Sequence, residues 1–292
     1  MTPRIESLVA ASAIAAVLAA FAAGSQAETL AVADLPRQTH IHGLAVDAQD
    51  PSHLLIATHH GLFSAGPDGE AERISVVQDF MGFNPHPSDP DILYASGHPA
   101  DGGNLGFIAS TDRGQTWSQV SPGVNGPVDF HQMTVSPADP ARIYGAYAGG
   151  LQTSGDAGES WTLIGPAPEG LIDLTASAKS PDTLYAATEV GLMVSTDAGK
   201  TWRASAIEGA PVSLIEIAPD GTLYAFVVGR GLVRSAEDPL AFETVSGGFG
   251  NGYFLHLAAD PANPDRVFAA TGDGEVLSST DGGESCAPLG GA

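Results

Sequence analysis

The sequence predicts an all-β fold, a six-bladed β-propeller with Asp-rich hairpins and four antiparallel strands in each blade. Three observations carry that prediction. A Ser-x-Asp-x-Gly-x-Ser/Thr-Trp segment recurs, with its tryptophans 44 and 41 residues apart. An X-Pro turn followed by an apolar strand recurs in step with it. The 36 glycines and 21 prolines of the 292 residues place turn signals between short apolar runs and leave no long 3.6-residue pattern. A repeat of this length is the period of a four-stranded blade.

The elements follow in chain order. Met1 to Ala27 reads as a secretory signal, with Arg4 near its start, an apolar run from Leu8 to Gly24, and Ser25-Gln26-Ala27 as small residues before the cut. The run is Ala-rich and shorter than the ~20 residues of a membrane span, so cleavage is preferred over anchoring. The working protein is then one domain, 28–292, periplasmic or extracellular, a monomer with no membrane span after cleavage. Thr29 to Ala33 is expected to supply the outer strand of the last blade and so close the ring. The first inner strand is His40 to Val46. Six X-Pro or Pro-x-Gly turns, at Asp50-Pro51, Asp89-Pro90, Asp139-Pro140, Ser180-Pro181, Pro219-Asp220-Gly221 and Asn263-Pro264, each lead into an apolar second strand and count out six units.

The hairpin between third and fourth strands carries the repeated motif. It contains Asp112 and Trp117, Asp156 and Trp161, Asp197 and Trp202, and a fourth copy has Asp281 with Cys286 at the tryptophan position. These residues resemble the Asp-box (BNR) repeat of sialidases, other glycoside hydrolases, sortilin-type receptors and photosystem assembly factors. The sequence is also similar to exported bacterial glycosylhydrolase-like proteins that open on His-Ile-His-Gly-Leu, as His40 to Leu44 does here. The resemblance implies a propeller and a sialidase-like activity. The physics of the motif implies a turn: carboxylate and hydroxyl bond the hairpin backbone, glycine takes positive φ, and tryptophan packs between blades. The Asp-box aspartates are read as structural.

Charge excludes some functions. With 34 acidic and 11 basic side chains the net charge is −23, which repels phosphate backbones and argues against nucleic-acid binding. One cysteine makes neither an internal disulfide nor a thiolate zinc site.

Aligning the inner strands by their Pro turns places His40 and His42, Asp79 and Met81, and Asp129 and His131 in matching channel-facing slots. Met133, two residues further on, faces the same way. The loops joining second and third strands open at the same mouth and bring His59, His60 and His98. Imidazole, thioether and carboxylate together are ligands for copper or another first-row metal. The same cluster also fits an ordinary hydrogen-bonded, pH-sensitive polar patch.

A glycosidase needs a pair of carboxylates or, in sialidases, a tyrosine nucleophile, with arginines to hold an acidic sugar. Asp79, Asp129, Tyr253 and Glu189 are the candidates, but no arginine triad is visible. Three readings stand: a binding module whose mouth takes a metal ion or small ligand, a sialidase-like hydrolase acting on a glycan, and a receptor or scaffold for a protein.

Overall fold

Each repeat becomes one antiparallel sheet because its turn residues fall between short, mutually complementary apolar runs. Blade four is representative, with strands Leu171–Ala176, Leu184–Thr188, Gly191–Ser195 and Arg203–Glu208 paired in that order. Its second strand is buried at every position, whereas its outermost strand is mostly exposed. This computed structural model describes residues 28–247 and 252–291; the predicted signal lies outside the described residues.

Among the described residues six such sheets form an all-β propeller, with one short helix, Leu35–Gln38, and one 3-10 turn, Val32–Asp34. The inner strands are Ile41–Val46, Met81–Pro85, Gln132–Val135, Leu171–Ala176, Val212–Ile217 and Phe254–Asp260. Six buried hydrophobic clusters fill the seams between consecutive blades, and one of them joins blade six back to blade one. Radial packing of this kind covers every sheet face and leaves only short outer edges.

Closure differs from the sequence expectation. Thr29–Ala31 does not enter blade six. It pairs antiparallel with Glu70–Arg73 as a fifth strand on blade one. Blade six completes itself with the short strand Ala287–Pro288, paired with Leu277 and Ser278. The N-terminal segment still reaches the closing seam, through side chains rather than a ladder. Val32 and Leu35 are buried among Leu54, Ile56 and Phe63 of blade one and Phe268, Ala270 and Val276 of blade six. Without Thr29–Ala31 the strand Glu70–Arg73 would be the unpaired edge of blade one, and the apolar residues that follow Ala31 fit the seam.

The Ser-x-Asp-x-Gly hairpins make the bonds their chemistry predicts. In blade three Ser154 Oγ donates to Asp156 Oδ1 at 2.7 Å and accepts from the Gly158 amide at 2.8 Å. Asp156 accepts from the Ser160 amide and hydroxyl at 2.9 and 2.6 Å. The same pattern recurs around Asp112, Asp197 and Asp281. Gly158 has φ +87°, and a Cβ there would lie 2.0 Å from Phe107 of the preceding blade, so only glycine fits the seam. Trp161 meets Phe107 across that seam edge to face, with centroids 5.4 Å apart, and packs at a tilt against Phe130 of its own blade at 4.8 Å. Cys286 joins the seam cluster of blades five and six, in the role tryptophan has elsewhere.

Candidate metal centre at the channel mouth

Inner strands start at the mouth, and the turns between second and third strands come up beside them. The His59 amide donates to the His40 carbonyl at 3.3 Å, and the Asp79 amide to the His98 carbonyl at 2.9 Å. The second contact depends on Gly97, whose φ is +123° and where a Cβ would fall 2.4 Å from the Asp79 carbonyl oxygen. Backbone geometry thus delivers His59 to His42, and His98 to Asp79.

One donor atom each from His42, His59 and Asp79 gathers within 4.8 Å of the others. His59 Nδ1 is 3.1 Å and His42 Nε2 3.9 Å from Asp79 Oδ1, and the two imidazoles meet edge to face with centroids 4.2 Å apart. Asp79 is buried, yet its Oδ1 has no hydrogen-bond partner, and neither has His42 Nε2. His59 Nδ1 lies 3.1 Å from that oxygen, within reach of an ion pair when the imidazole is protonated. Burial pushes the Asp79 carboxyl up, against the opposing pull of His59. Burial, reinforced by the surrounding imidazoles, lowers His42 to about 3. A neutral His42 keeps its lone pair at pH 7.

A second group adjoins the first. Asp129, also buried, lies with Oδ2 2.9 Å from His131 Nε2 and 3.0 Å from His98 Nε2. The hydrogen bond to Asp129 raises the His131 pKa. The other oxygen, Oδ1, has no partner. His98 Nδ1 meets the Gly103 carbonyl at 2.7 Å, on the glycine-rich loop of blade two.

The remaining candidates are placed as follows. His40 is exposed with its ring 5.4 Å from that of His59, at the rim. His60 is exposed and outside the grouped donors, its amide donating to Thr58 Oγ1. Met81 is buried at the head of its strand, and Met133 lines the channel below. Tyr253 is half-exposed on blade six against Gly272, and Glu189 is exposed on blade four against Gly170, with blade five between them.

Below the mouth lies a cavity of about 70 Å³ whose polar lining includes His42, Asn84, His131, Asp173, Glu216 and His256. Asp173 and Glu216 are acidic side chains inside mostly apolar inner strands, and that signal marks them in the sequence. Burial raises Asp173 to about 6, against hydrogen bonds from the Ile215 and Leu174 amides. Glu216 is pushed well above its ordinary value by burial and by the charge of Asp173. Burial lowers His256 to about 4, with its Nε2 at 3.2 Å from the Ile41 carbonyl.

No protein-family model matches the chain, and no curated protein matches it. Solved structures do share its fold. A GH74 xyloglucanase from Xanthomonas campestris aligns with TM-score 0.59 at 19% identity, over 90% of this chain and 47% of that one. YCF48 from Cyanidioschyzon merolae aligns with TM-score 0.50 at 16% identity, over 90% and 88% of the two chains. The extracellular domain of a hybrid two component system from B. thetaiotaomicron aligns with TM-score 0.55 at 13% identity, over 91% and 33%. The chain therefore spans about half the length of the xyloglucanase. At these identities the likeness concerns the β-propeller fold.

Proposed function

We propose that this propeller is a binding module that holds a divalent first-row transition ion at its channel mouth, on His42 Nε2, His59 Nδ1 and Asp79 Oδ1. The observation that carries the reading is the gathering of these three atoms within 4.8 Å, two of them without hydrogen-bond partners. Ligands bonded at about 2.0–2.2 Å to one tetrahedral ion lie roughly 3–4 Å from one another, and the two separations to Asp79 Oδ1, 3.1 Å from His59 Nδ1 and 3.9 Å from His42 Nε2, fall in that range. Two imidazoles and a carboxylate suit Zn(II) or Cu(II) better than Cu(I), which prefers sulfur. The ion and its open coordination position would be reached through the half-exposed His59 side.

Sugar cleavage of the sialidase kind has less support. Arg37, Arg73, Arg113, Arg234 and Arg266 are paired with Asp34, Glu28, Asp47, Glu243 and Asp260. Arg230 bonds Thr244 and the Phe242 carbonyl. These arginines have partners of their own, so none of them is free to join a cluster that clamps a substrate carboxylate.

Titration of the protein with Zn²⁺ and Cu²⁺, followed by calorimetry and thermal unfolding, tests the proposal. An ion at a hundred times its Kd is expected to stabilise the fold by about 2.7 kcal/mol. His42→Ala is expected to weaken binding at least tenfold. Equal affinity in wild type and His42→Ala, or no binding to either, would refute the reading.

A further inference from the structure

We infer that a pocket in the seam between blades four and five, on the face away from the channel mouth, binds a small organic carboxylate with an apolar body. The inference stands apart from the metal reading and shares no residue with it.

The pocket begins with a hairpin that departs from the repeat. Residues 235–242 of blade five read Ser-Ala-Glu-Asp-Pro-Leu-Ala-Phe where the repeat has Ser-x-Asp-x-Gly-x-Ser/Thr-Trp. Elsewhere the glycine lets the hairpin lie against the third strand of the preceding blade. A Cβ on Gly199 would fall 2.5 Å from Leu151, and Gly114 and Gly283 meet Leu62 and Leu232 in the same way. Pro239 stands at that position in blade five, and its ring does not fit so narrow a gap. Ala241 replaces the Ser or Thr whose hydroxyl holds the aspartate elsewhere. Glu237 turns to blade four instead, where Oε1 accepts from the Ala178 amide at 3.2 Å and Oε2 from the Tyr185 hydroxyl at 3.1 Å. Between this hairpin and blade four lies a pocket of about 620 Å³, within the range of about 300–1,000 Å³ common for small-molecule sites.

Its charges are the second observation. Ten of the eleven basic side chains are described, all but Arg4. Five are ion-paired with acids, and Arg230 is hydrogen-bonded. Arg142, Lys179, Lys200 and Arg203 have no ion pair, and two of these four, Lys179 and Arg203, line this one pocket. Free cations are unexpected in a chain of net charge −23 that offers each of them many acids. Burial and the Glu237 charge raise the Tyr185 phenol, while the Arg203 charge pulls it the other way, so the guanidinium lies within electrostatic reach of the pocket floor.

The lining selects the ligand. A guanidinium fork matches a carboxylate in two parallel hydrogen bonds, and an ammonium adds a point charge. Tyr185 and Leu240 supply apolar surface for the rest of the molecule. Glu237 and Asp238 line the same pocket. The Glu237 oxygens are already engaged and Asp238 is exposed to water, so neither blocks one carboxylate, but together they disfavour a polyanion such as phosphate.

Calorimetry with phenylacetate as the probe is expected to show one site per chain. Phenylacetamide, which lacks the charge, and acetate, which lacks the apolar body, are each expected to bind about tenfold more weakly or worse. Arg203→Gln and Lys179→Gln are expected to weaken phenylacetate by about tenfold each, as loss of a charge-assisted bond implies, and to leave phenylacetamide unaffected. Both side chains are exposed and unpaired, so the variants keep the fold, which thermal unfolding checks. Lys200→Gln removes the same charge outside the pocket and is expected to bind phenylacetate like the wild type. Equal affinity for phenylacetate and phenylacetamide, equal losses in Lys200→Gln and Arg203→Gln, or no binding of phenylacetate by the wild type would each overturn the inference.

Discussion

Ser154 is 1% exposed, and its hydroxyl both donates to Asp156 and accepts from the Gly158 amide. Ser154→Ala leaves that amide without an acceptor in a place water does not reach. A loss of about 1–3 kcal/mol is expected in urea unfolding with an unchanged slope; an unaltered midpoint would contradict the role given to the hydroxyl. The aspartate partner is tuned by the same turn. Hydrogen bonds from the Ser160 hydroxyl and amide, then from Ser154, hold Asp156 down at about 2, and Asp197 and Asp281 behave alike. A folded-state pKa below the unfolded value stabilises above the unfolded pKa, ordinarily about 4, and that contribution is lost as pH falls toward 2. This logic was legible from eight consecutive residues, because donors, acceptors and positive-φ positions all lie inside one hairpin.

At the scale of elements, the N-terminal segment shows where local reading stops. Its strand character was predicted and observed, but the partner was not, since edge pairing depends on which free edge the ring brings near. Leu35 is fully buried in the seam between blades one and six, while Leu30 only packs against that cluster. Leu35→Ala is expected to cost about 2–5 kcal/mol, and Leu30→Ala clearly less, in paired denaturation curves. Equal small losses would show that the seam does not depend on this segment. The mouth follows a similar rule. His59 and His60 are neighbours in sequence, yet only His59 reaches Asp79. Adjacent side chains of an extended turn diverge, and a residue pattern alone does not select between them.

The whole molecule adds a feature that no single blade has. Asp173 and Glu216, one strand apart on blades four and five, share a narrow channel with His42, His131 and His256. Burial and the charge of Asp173 raise Glu216 above its ordinary value. A carboxyl whose folded pKa is raised contributes stability that is complete below its unfolded pKa, about 4.5, and is lost as pH rises through the folded value. Glu216→Gln is therefore expected to raise Tm at pH 8 and leave it unchanged near pH 4. For a chain of this size each kcal/mol relieved moves Tm by about 2–4 °C. A lower Tm at pH 8 would show that the carboxylate is compensated in the channel. The net charge of −23 does not by itself locate this pair, because most acidic side chains lie on turns and outer hairpins.

The sequence by itself determined the number of blades, the structural role of Asp112, Asp156, Asp197 and Asp281, and the end of the channel at which the histidines collect. Each of these depends on contacts within one repeat, or on a period that every repeat shares. Only the tertiary structure decided that His42 and His59 join Asp79, that His98 and His131 join Asp129, and that His40 and His60 stay outside both groups. Those choices depend on the approach of separate blades, set by seam packing and by the backbone bonds between turns and inner strands. The acids of the lumen became visible for the same reason: residues far apart in the chain meet once the ring has closed.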